Sequence, residues 1–333
     1  MQTDVVTAQR LAEDLLIRAG VTPDGAAQQA ELLLVAEAKG VRSHGLLRLP
    51  RLLRRLSSGV AHPTTTGDYT WRSPTYLAVD GQQGLGPVVA LAALDAVAPA
   101  AFQYGIACAA ITNNNHLGML SWYSERMAER GLVCIATTTS EALVHPYGGT
   151  EAMVGTNPLS IGVPAQPWPL VLDMATSQVS MGRIHDHALR GLPLEPGWAL
   201  DADGRPTVDA EAGKLGSVAP FGGAKGYALG LSLGALISSV TGAPAGTAVH
   251  GTLDDTEPSS KGDLFILIAG AGQPVSGYLD DVRASRAADP RRPVQVPGDG
   301  AHARLLASQS AGIEVPDHLW AELTEAHETQ AAR

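Results

Sequence analysis

Apolar residues recur at helical spacing near the start of the chain. Leu11, Leu15 and their apolar neighbours share one face of a helix. Thr22 and Pro23 suit the cap and first turn of a second helix, and LLRLPRLLRRLSSG has the pattern of a third. The first 60 residues are therefore predicted to be helical, without a strand.

The middle of the chain changes to short apolar runs bounded by Gly, Pro, Asn and Asp, the pattern of β-strands. These runs are TYLAVDG, GIACAAITN, LVCIATTT, PLSIGVPA and LVLDMA, with a late one at LFILIAG. Helical patterns alternate with them at about 86–104, 118–130 and 225–240. The alternation predicts an α/β body.

Two further segments complete the pattern. Residues 186–220 are rich in Pro and Gly and poor in β-branched residues, so they are predicted to form a loop crossing the surface. From Gly312 onward the chain has the pattern of an amphipathic helix with Pro316 at its start. This last helix is expected to return to the N-terminal helices.

Composition narrows the possible functions. The 333 residues are 45% apolar and 17% charged, which suits a sizeable core and excludes a mainly disordered chain. The net charge is −10, and without a Lys/Arg-rich stripe we expect no nucleic-acid or membrane partner. Cys108 and Cys134 lie in apolar runs, as buried thiols of a reducing compartment do. With no signal-peptide or membrane-span pattern, the protein is expected to be soluble and cytoplasmic.

Standard nucleotide and metal motifs are missing from the sequence. The nearest dinucleotide fingerprint is Gly81-Gln-Gln-Gly84-Leu-Gly86, whose spacing is G-x-x-G-x-G, and a turn before a helix is the simpler interpretation. A P-loop, a zinc-ligand spacing, a metal-binding acidic cluster and a GxSxG elbow are also absent. No metal is therefore expected.

Two histidines stand in segments that suit ligand chemistry. His44 and Arg48 are four residues apart, so a helix would place both on one face. The Arg fork can bind a carboxylate, and the imidazole can hold a carbonyl or exchange a proton; a capping Ser43 and an exposed Arg48 are the structural alternative. His116 lies in NNNHLG, at a strand-to-helix junction where α/β proteins place ligand-contacting groups, although a simple turn has the same pattern.

Small residues gather at later turns. VGTNP and LDMATS stand at the edges of β-prone runs, and such turns allow close approach to a flat or phosphorylated ligand. FGGAKGY opens a helix with glycines and Lys225, a candidate cradle for a phosphate or a carboxylate.

Taken in order, these segments resemble the malate/L-lactate dehydrogenase type 2 family over about residues 10–320. That family includes ureidoglycolate, sulfolactate and 2,3-diketogulonate dehydrogenases and Δ1-piperideine-2-carboxylate reductases. The matching motifs are RSHGLLRLP, NNNHLG, HPYGGTEAMVGTNPLSIGVPA, DMATSQVSMGRI and FGGAKGYALGLSLGALIS.

The resemblance implies a particular architecture. A non-Rossmann nicotinamide-binding and catalytic domain, residues 71–304, would surround a largely antiparallel sheet. A helical domain would combine residues 1–70 with 305–333. The family also implies a homodimer with active sites near the subunit interface.

The resemblance also assigns site residues. His116 would be the catalytic acid/base, and His44 and Arg48 would contact the substrate, with Arg48 on its carboxylate. The implied cofactor-contacting positions are Ser140, Asp173, Met174, Ala175 and Lys225, with Gly155, Thr156 and Asn157 lining the same pocket. Leu117 departs from the Phe that often follows the second histidine, which bears on the substrate more than on the hydride chemistry.

The expected activity is hydride transfer between NAD(P)H and C2 of a 2-oxo acid or a cyclic 2-imino carboxylic acid. A catalytically silent relative that only binds a small ligand is the alternative. NADPH is expected over NADH because Arg183 stands near His185 and His187 just after DMATS, where a cationic group suits a 2′-phosphate. Arg183 facing solvent is the competing interpretation.

Overall fold

The computed structural model describes residues 1–270 and 275–331. The helices are α1 Val5–Arg18, α2 Pro23–Ala38, α3 Leu49–Ser57, α4 Gly86–Tyr104, α5 Ser121–Glu129, α6 Met181–Leu189, α7 Ala210–Lys214, α8 Ala224–Thr241, α9 Ser276–Ala284, α10 Asp299–Ala311 and α11 Asp317–Ala331. The strands are β1 Gln2–Thr3, β2 Asp68–Ser73, β3 Tyr76–Gly84, β4 Ile106–Asn114, β5 Leu132–Thr138, β6 Ala142–Val144, β7 Val154–Gly155, β8 Leu159–Val163, β9 Leu170–Met174, β10 Ala199–Leu200, β11 Pro206–Thr207, β12 Ser217–Val218, β13 Asp263–Ala269 and β14 Ile313–Glu314. The predicted α/β class is confirmed.

A seven-stranded sheet forms the centre of the fold. Its strand order is β2-β3-β4-β13-β5-β8-β9, and every neighbouring pair is antiparallel except β3 with β4. The apolar strand β13 lies in the middle, where Phe265 pairs with Ala109 on one side and Ala136 on the other. All three residues are fully buried. The expectation of a largely antiparallel sheet is confirmed.

Helix α4 packs on β3, β4 and β13 and also contacts α2. Its Val89, Ala93 and Val97 are fully buried. By length and composition alone α4 could cross a membrane, but its place in the core accounts for its apolar sequence. The same hydrophobic core continues into the N-terminal helices through Leu15 and Leu33.

The two ends of the chain meet, as predicted. Helix α11 packs on α1, and its Leu319 and Leu323 are buried in the main core. The prediction that the first 60 residues lack a strand is wrong, because β1 pairs with β14. A strand of two residues is too short to show an alternating pattern.

Residues 181–218, called the small module below, are not the simple loop predicted for 186–220. They contain α6, α7, β10, β11 and β12, and β12 joins β6 in a five-stranded sheet. Ile184, Trp198 and Val218 belong to a hydrophobic core of their own. The prediction failed because the strands are two residues long and stand among Pro and Gly.

Candidate active site

Two successive 3-10 turns, Arg42–His44 and Leu46–Arg48, present the first histidine and its arginine. Helix α3 begins only at Leu49, with Pro50 in its first turn. The prediction of a third helix with Pro50 near its first turn and Gly59 beyond its end is confirmed. The tighter turns still place His44 and Arg48 at one site.

Glu37 of α2 supports these turns. It is 6% exposed, and its Oε1 accepts a hydrogen bond from Leu46 N–H at 2.9 Å. A Cβ at Gly45 would lie 2.3 Å from the same oxygen, so any larger residue there would displace the Glu37 carboxylate. Burial raises the pKa of Glu37 to about 7. Sequence reasoning missed Glu37 because one acid in an apolar helix forms no motif.

His116 lies in the loop after β4, and α5 begins later than predicted, at Ser121. Asn115 fixes this loop, since its Nδ2 donates to the carbonyls of Gln83 at 2.6 Å and Gly84 at 3.1 Å. His116 Nδ1 accepts a hydrogen bond from the N–H of Gly118 at 3.1 Å. With Nδ1 as the acceptor, the neutral ring carries its proton on Nε2, the nitrogen that remains for a ligand.

The two histidine rings stack on each other. The centroids of His44 and His116 are 5.2 Å apart and their planes differ by 18°. Burial, and then the charge of Arg48, lowers the pKa of His44 to about 3 and holds that of His116 well below its usual range. Burial likewise lowers the pKa of Arg48 to about 10. Both rings are therefore neutral near pH 7.

A small cavity of about 40 Å³ opens beside His116. Arg48 reaches it, and because its Nε donates to Ser43 O at 2.7 Å, the terminal nitrogens remain for a ligand. The lining contains apolar, cationic and small polar side chains, and no carboxylate among the described residues. Its members are Gln29, Leu32, Leu33, Arg48, Arg51, Leu52, Arg55, Asn115, His116, Gly118, Gly251 and Thr252. The sequence analysis expected no Lys/Arg-rich stripe, but Arg48, Arg51 and Arg55, separated by three and then four residues, form one beside this cavity.

A buried ion pair stands behind the histidine loop. Lys261 is 2% exposed and its Nζ donates to both carboxylate oxygens of Asp263, at 2.5 and 2.6 Å. Asp263 also accepts from Thr138 Oγ1 and from Asn114 Nδ2. Asn114 is two residues before His116, so the pair fixes the base of that loop. The charge of Lys261 also contributes to the low pKa of His116.

The loop between α8 and β13 closes one side of the cavity with Gly251 and Thr252. Glu141 accepts hydrogen bonds from the backbone of Thr252 at 2.7 Å and Leu253 at 2.9 Å. From the other side Arg55 Nη1 donates to Asp254 O at 2.7 Å. The loop is therefore anchored both to α3 and to the segment after β5.

The predicted cofactor residues Ser140, Gly155, Thr156 and Asn157 come together. Thr156 N–H donates to Ser140 Oγ at 2.9 Å, and Ser140 N–H donates to Asn157 Oδ1 at 3.3 Å. A Cβ at Gly155 would lie 2.4 Å from Ser140 O. Only glycine allows these two chain segments to approach so closely.

Asp173, Met174 and Ala175 stand at the end of β9. One oxygen of Asp173 accepts from Ser121 N–H at 2.8 Å and satisfies a donor at the start of α5. Lys225 is exposed in the first turn of α8. This helix is tied to the Ser140 group because Asn157 Nδ2 donates to Gly230 O at 2.8 Å.

Arg183 has a different setting. It lies exposed in α6, with its guanidinium 4.8 Å from the centroid of the Trp198 ring. The first turn of this helix reaches the substrate turn, since a Cβ at Gly182 would lie 3.4 Å from Ser43 Cβ. Among the described residues, no hydrogen bond joins Arg183 to the Ser140 group.

A nicotinamide dinucleotide fits the chemistry of these segments. Hydroxyls at Ser140 and Thr156, a carboxylate at Asp173 and an ammonium at Lys225 match its ribose hydroxyls, amide and phosphates. Glu141 links this group to the cavity, because it follows Ser140 and holds Thr252. Within residues 1–270 and 275–331, no cluster of three His, Cys, Asp or Glu side chains could hold a metal.

Comparison with known proteins identifies the family. A family model described as malate/L-lactate dehydrogenase matches residues 4–324. The chain is 33% identical to the Delta(1)-pyrroline-2-carboxylate reductase of Ancylobacter novellus, over 94% of each chain. It is 32% identical to the (2R)-3-sulfolactate dehydrogenase (NADP(+)) of Chromohalobacter salexigens, over 95% of each. A solved structure of a dehydrogenase from Sinorhizobium meliloti is 51% identical, covers 98% of both chains and superposes with a TM-score of 0.96. The chain therefore belongs to the malate/L-lactate dehydrogenase family of oxidoreductases.

Proposed function

We propose that this enzyme transfers hydride between NAD(P)H and C2 of a small 2-oxo acid or cyclic 2-imino carboxylic acid. The observation that carries the proposal is the cavity lined by both Arg48, whose terminal nitrogens bind no described residue, and His116, whose ring stacks on His44. The Arg48 guanidinium suits a carboxylate, and the His116 imidazole suits the adjacent carbonyl or imine. The relatives named for sulfolactate and pyrroline-2-carboxylate support both substrate types.

In the proposed mechanism the chain holds the substrate and manages one proton. Arg48 grips the carboxylate with its two terminal nitrogens, which orients C2. His116 Nε2 faces the substrate oxygen and, in the imidazolium form, gives it a proton as the carbonyl is reduced. In the reverse direction Nε2 takes that proton from the alcohol, which requires the ring's other proton to stand on Nδ1 and the bond from Gly118 N–H to be given up. The bound nicotinamide supplies or accepts the hydride. Ser140, Thr156, Asn157, Asp173, Met174, Ala175 and Lys225 would hold the dinucleotide.

Substrate binding prepares His116 for this role. The imidazolium is disfavoured in the free site by burial and by the charge of Arg48, and also because protonated Nδ1 would face the N–H of Gly118. A carboxylate on Arg48 offsets that positive charge and raises the pKa of His116. An iminium substrate brings its own proton, so there His116 would serve mainly for orientation.

We also retain three expectations, the first and third drawn from the sequence and the second from the family resemblance. The enzyme prefers NADPH, forms a homodimer with its active sites near the subunit interface, and works in the cytoplasm. The helical and catalytic domains are assigned to residues 1–70 with 305–333 and to residues 71–304.

The experiment is a substrate panel with NADH and NADPH, followed by nicotinamide absorbance. Pyruvate, oxaloacetate and Δ1-piperideine-2-carboxylate represent the two substrate types. His116→Ala should lower kcat for the oxo acids about 100-fold or more, because a positioned proton donor contributes about 10²–10⁴-fold. Cofactor binding should stay within a few-fold, and His318→Ala on the exposed face of α11 is the matched control.

Two results would reject the assignment. Retention of more than about a tenth of the wild-type kcat in His116→Ala would remove His116 from the chemistry. No turnover of any acid, together with tight binding of the same acids, would identify the chain as a catalytically silent ligand-binding relative.

A further inference from the structure

Three arginines of one helical face point to the same cavity. Arg48, Arg51 and Arg55 are separated by three and four residues, across the last 3-10 turn and α3, and all three line the space beside His116. Residues at these spacings are neighbours on a helix surface, with about 5–6 Å between their Cβ atoms. The stripe therefore concentrates positive charge at the site of the proposed reaction.

The three guanidinium groups differ in what already binds them. Arg55 is 5% exposed and committed, since it donates to Asn115 Oδ1 at 2.8 Å and to the carbonyls of Asp254 at 2.7 Å and Glu257 at 3.1 Å. Within the described part of the chain, Arg48 donates only through Nε. Arg51 donates to no side chain or carbonyl of the described residues. Two groups in one cavity are thus available to a ligand.

No protein anion balances these two groups within the cavity. The described lining has no carboxylate. Asp255, in the adjacent loop, is bound instead by Arg54 Nε at 2.6 Å, on the exposed side of α3. Repulsion from Arg51 adds to burial in lowering the pKa of Arg48. One substrate carboxylate would compensate one guanidinium and leave the other uncompensated.

We propose that Arg51 binds a second anionic group of the substrate, so that the preferred substrates are dianionic 2-oxo acids. The second group is a carboxylate or a sulfonate one carbon beyond the carbonyl, a spacing short enough for the small cavity and for neighbouring arginines. This inference rests on the proposed function, in which Arg48 holds the first carboxylate. The inference predicts that the enzyme prefers dianionic oxo acids over monoanionic oxo acids and cyclic imino acids.

The test compares kcat/KM for oxaloacetate and sulfopyruvate with that for pyruvate, 2-oxobutyrate and Δ1-piperideine-2-carboxylate. The unmodified enzyme should favour the dianions at least about tenfold. Arg51→Gln should lower the ratio of dianion to monoanion kcat/KM by about 10- to 100-fold, the scale of one charge-assisted hydrogen bond. Arg51→Lys should retain part of the ratio, and Arg72→Gln, in the exposed strand β2, should leave it unchanged.

The KM for the cofactor distinguishes substrate binding by Arg51 from a general effect of its charge on the site. The KM for NADPH should be unaffected by Arg51→Gln, whereas loss of a phosphate contact would raise it. A preference for monoanions in the unmodified enzyme, or an equal loss on both classes in Arg51→Gln, would overturn the proposal. The two dianions distinguish a carboxylate site from a sulfonate site.

The inference can fail separately from the proposed function. If no acid is turned over, thermal stabilisation by succinate and by propionate still tests the second anion site, because succinate has the two-carbon spacing between anionic groups that the proposed substrates have. Succinate should stabilise the protein more than propionate at equal concentration, and Arg51→Gln should abolish the difference. Equal stabilisation by the two acids would reject the site.

Discussion

At the scale of single residues, the site combines neutral histidines with charged arginines. His116 faces positive charge from Arg48, Arg51 and Lys261 and stacks on His44. The sequence identified His44, Arg48 and His116 because they stand in recognisable segments. It could not identify Glu37 or Lys261, whose roles depend on burial and on contacts with distant strands.

The low pKa of His116 predicts the pH dependence of both directions. Oxidation needs the neutral ring, so kcat/KM for the hydroxy acid should stay level as the pH falls through 6.5, the ordinary pKa of histidine. Reduction of an oxo acid needs the imidazolium, whose population in the free enzyme rises about tenfold for each pH unit of acidification above the lowered pKa. Reductive kcat/KM should therefore continue to rise below pH 6.5.

Initial rates in both directions over a pH series check this expectation. His116→Gln, which has no titrating ring, should show a flat profile at a much lower rate. A reductive profile that levels off above pH 6.5 would contradict the effect of burial and of the surrounding cations.

At the scale of elements, the sequence predicted what regular patterns encode. The six strands marked by apolar runs are present, and α4, α8 and α11 lie close to their predicted ranges. The small module and the β1–β14 pair were missed because two-residue strands have no period.

Helix α6 carries the proposed determinant of cofactor choice. Arg183→Ala should lower the preference for NADPH over NADH about tenfold or more, the effect of one charged hydrogen bond to the 2′-phosphate. Arg190→Ala is the matched control, since Arg190 is exposed in the turn after the same helix and bonded to Asp186. The ratio of kcat/KM for the two cofactors gives the answer.

The competing interpretation is that Arg183, which stacks on the Trp198 ring, has a structural role only. If Arg183 only stabilises the small module, its replacement should lower thermal stability and leave the cofactor ratio unchanged. Equal kcat/KM for NADPH and NADH in the unmodified enzyme would reject the preference itself.

At the scale of the whole molecule, the chain ends and the central sheet share one hydrophobic core. That core runs from Leu15 of α1 through Leu33 of α2 to Phe265 in the sheet, and α11 adds Leu319 and Leu323. The turn with His44 and Arg48 follows α2, whereas His116 follows β4. Relative placement of these site residues therefore depends on packing between segments that are distant in the sequence.

Leu323→Ala tests how strongly the C-terminal helix is bound to this core. Leu323 is 1% exposed, and removing a buried leucine side chain costs about 2–5 kcal/mol through lost burial and a residual cavity. Leu306→Ala in α10 is the control, because Leu306 is 51% exposed and its loss should change the free energy of unfolding by about 0.5 kcal/mol or less. Urea unfolding followed by circular dichroism should show a lower midpoint for Leu323→Ala with the same slope. Equal midpoints for the two variants would mean that α11 contributes little to the core that holds the site together.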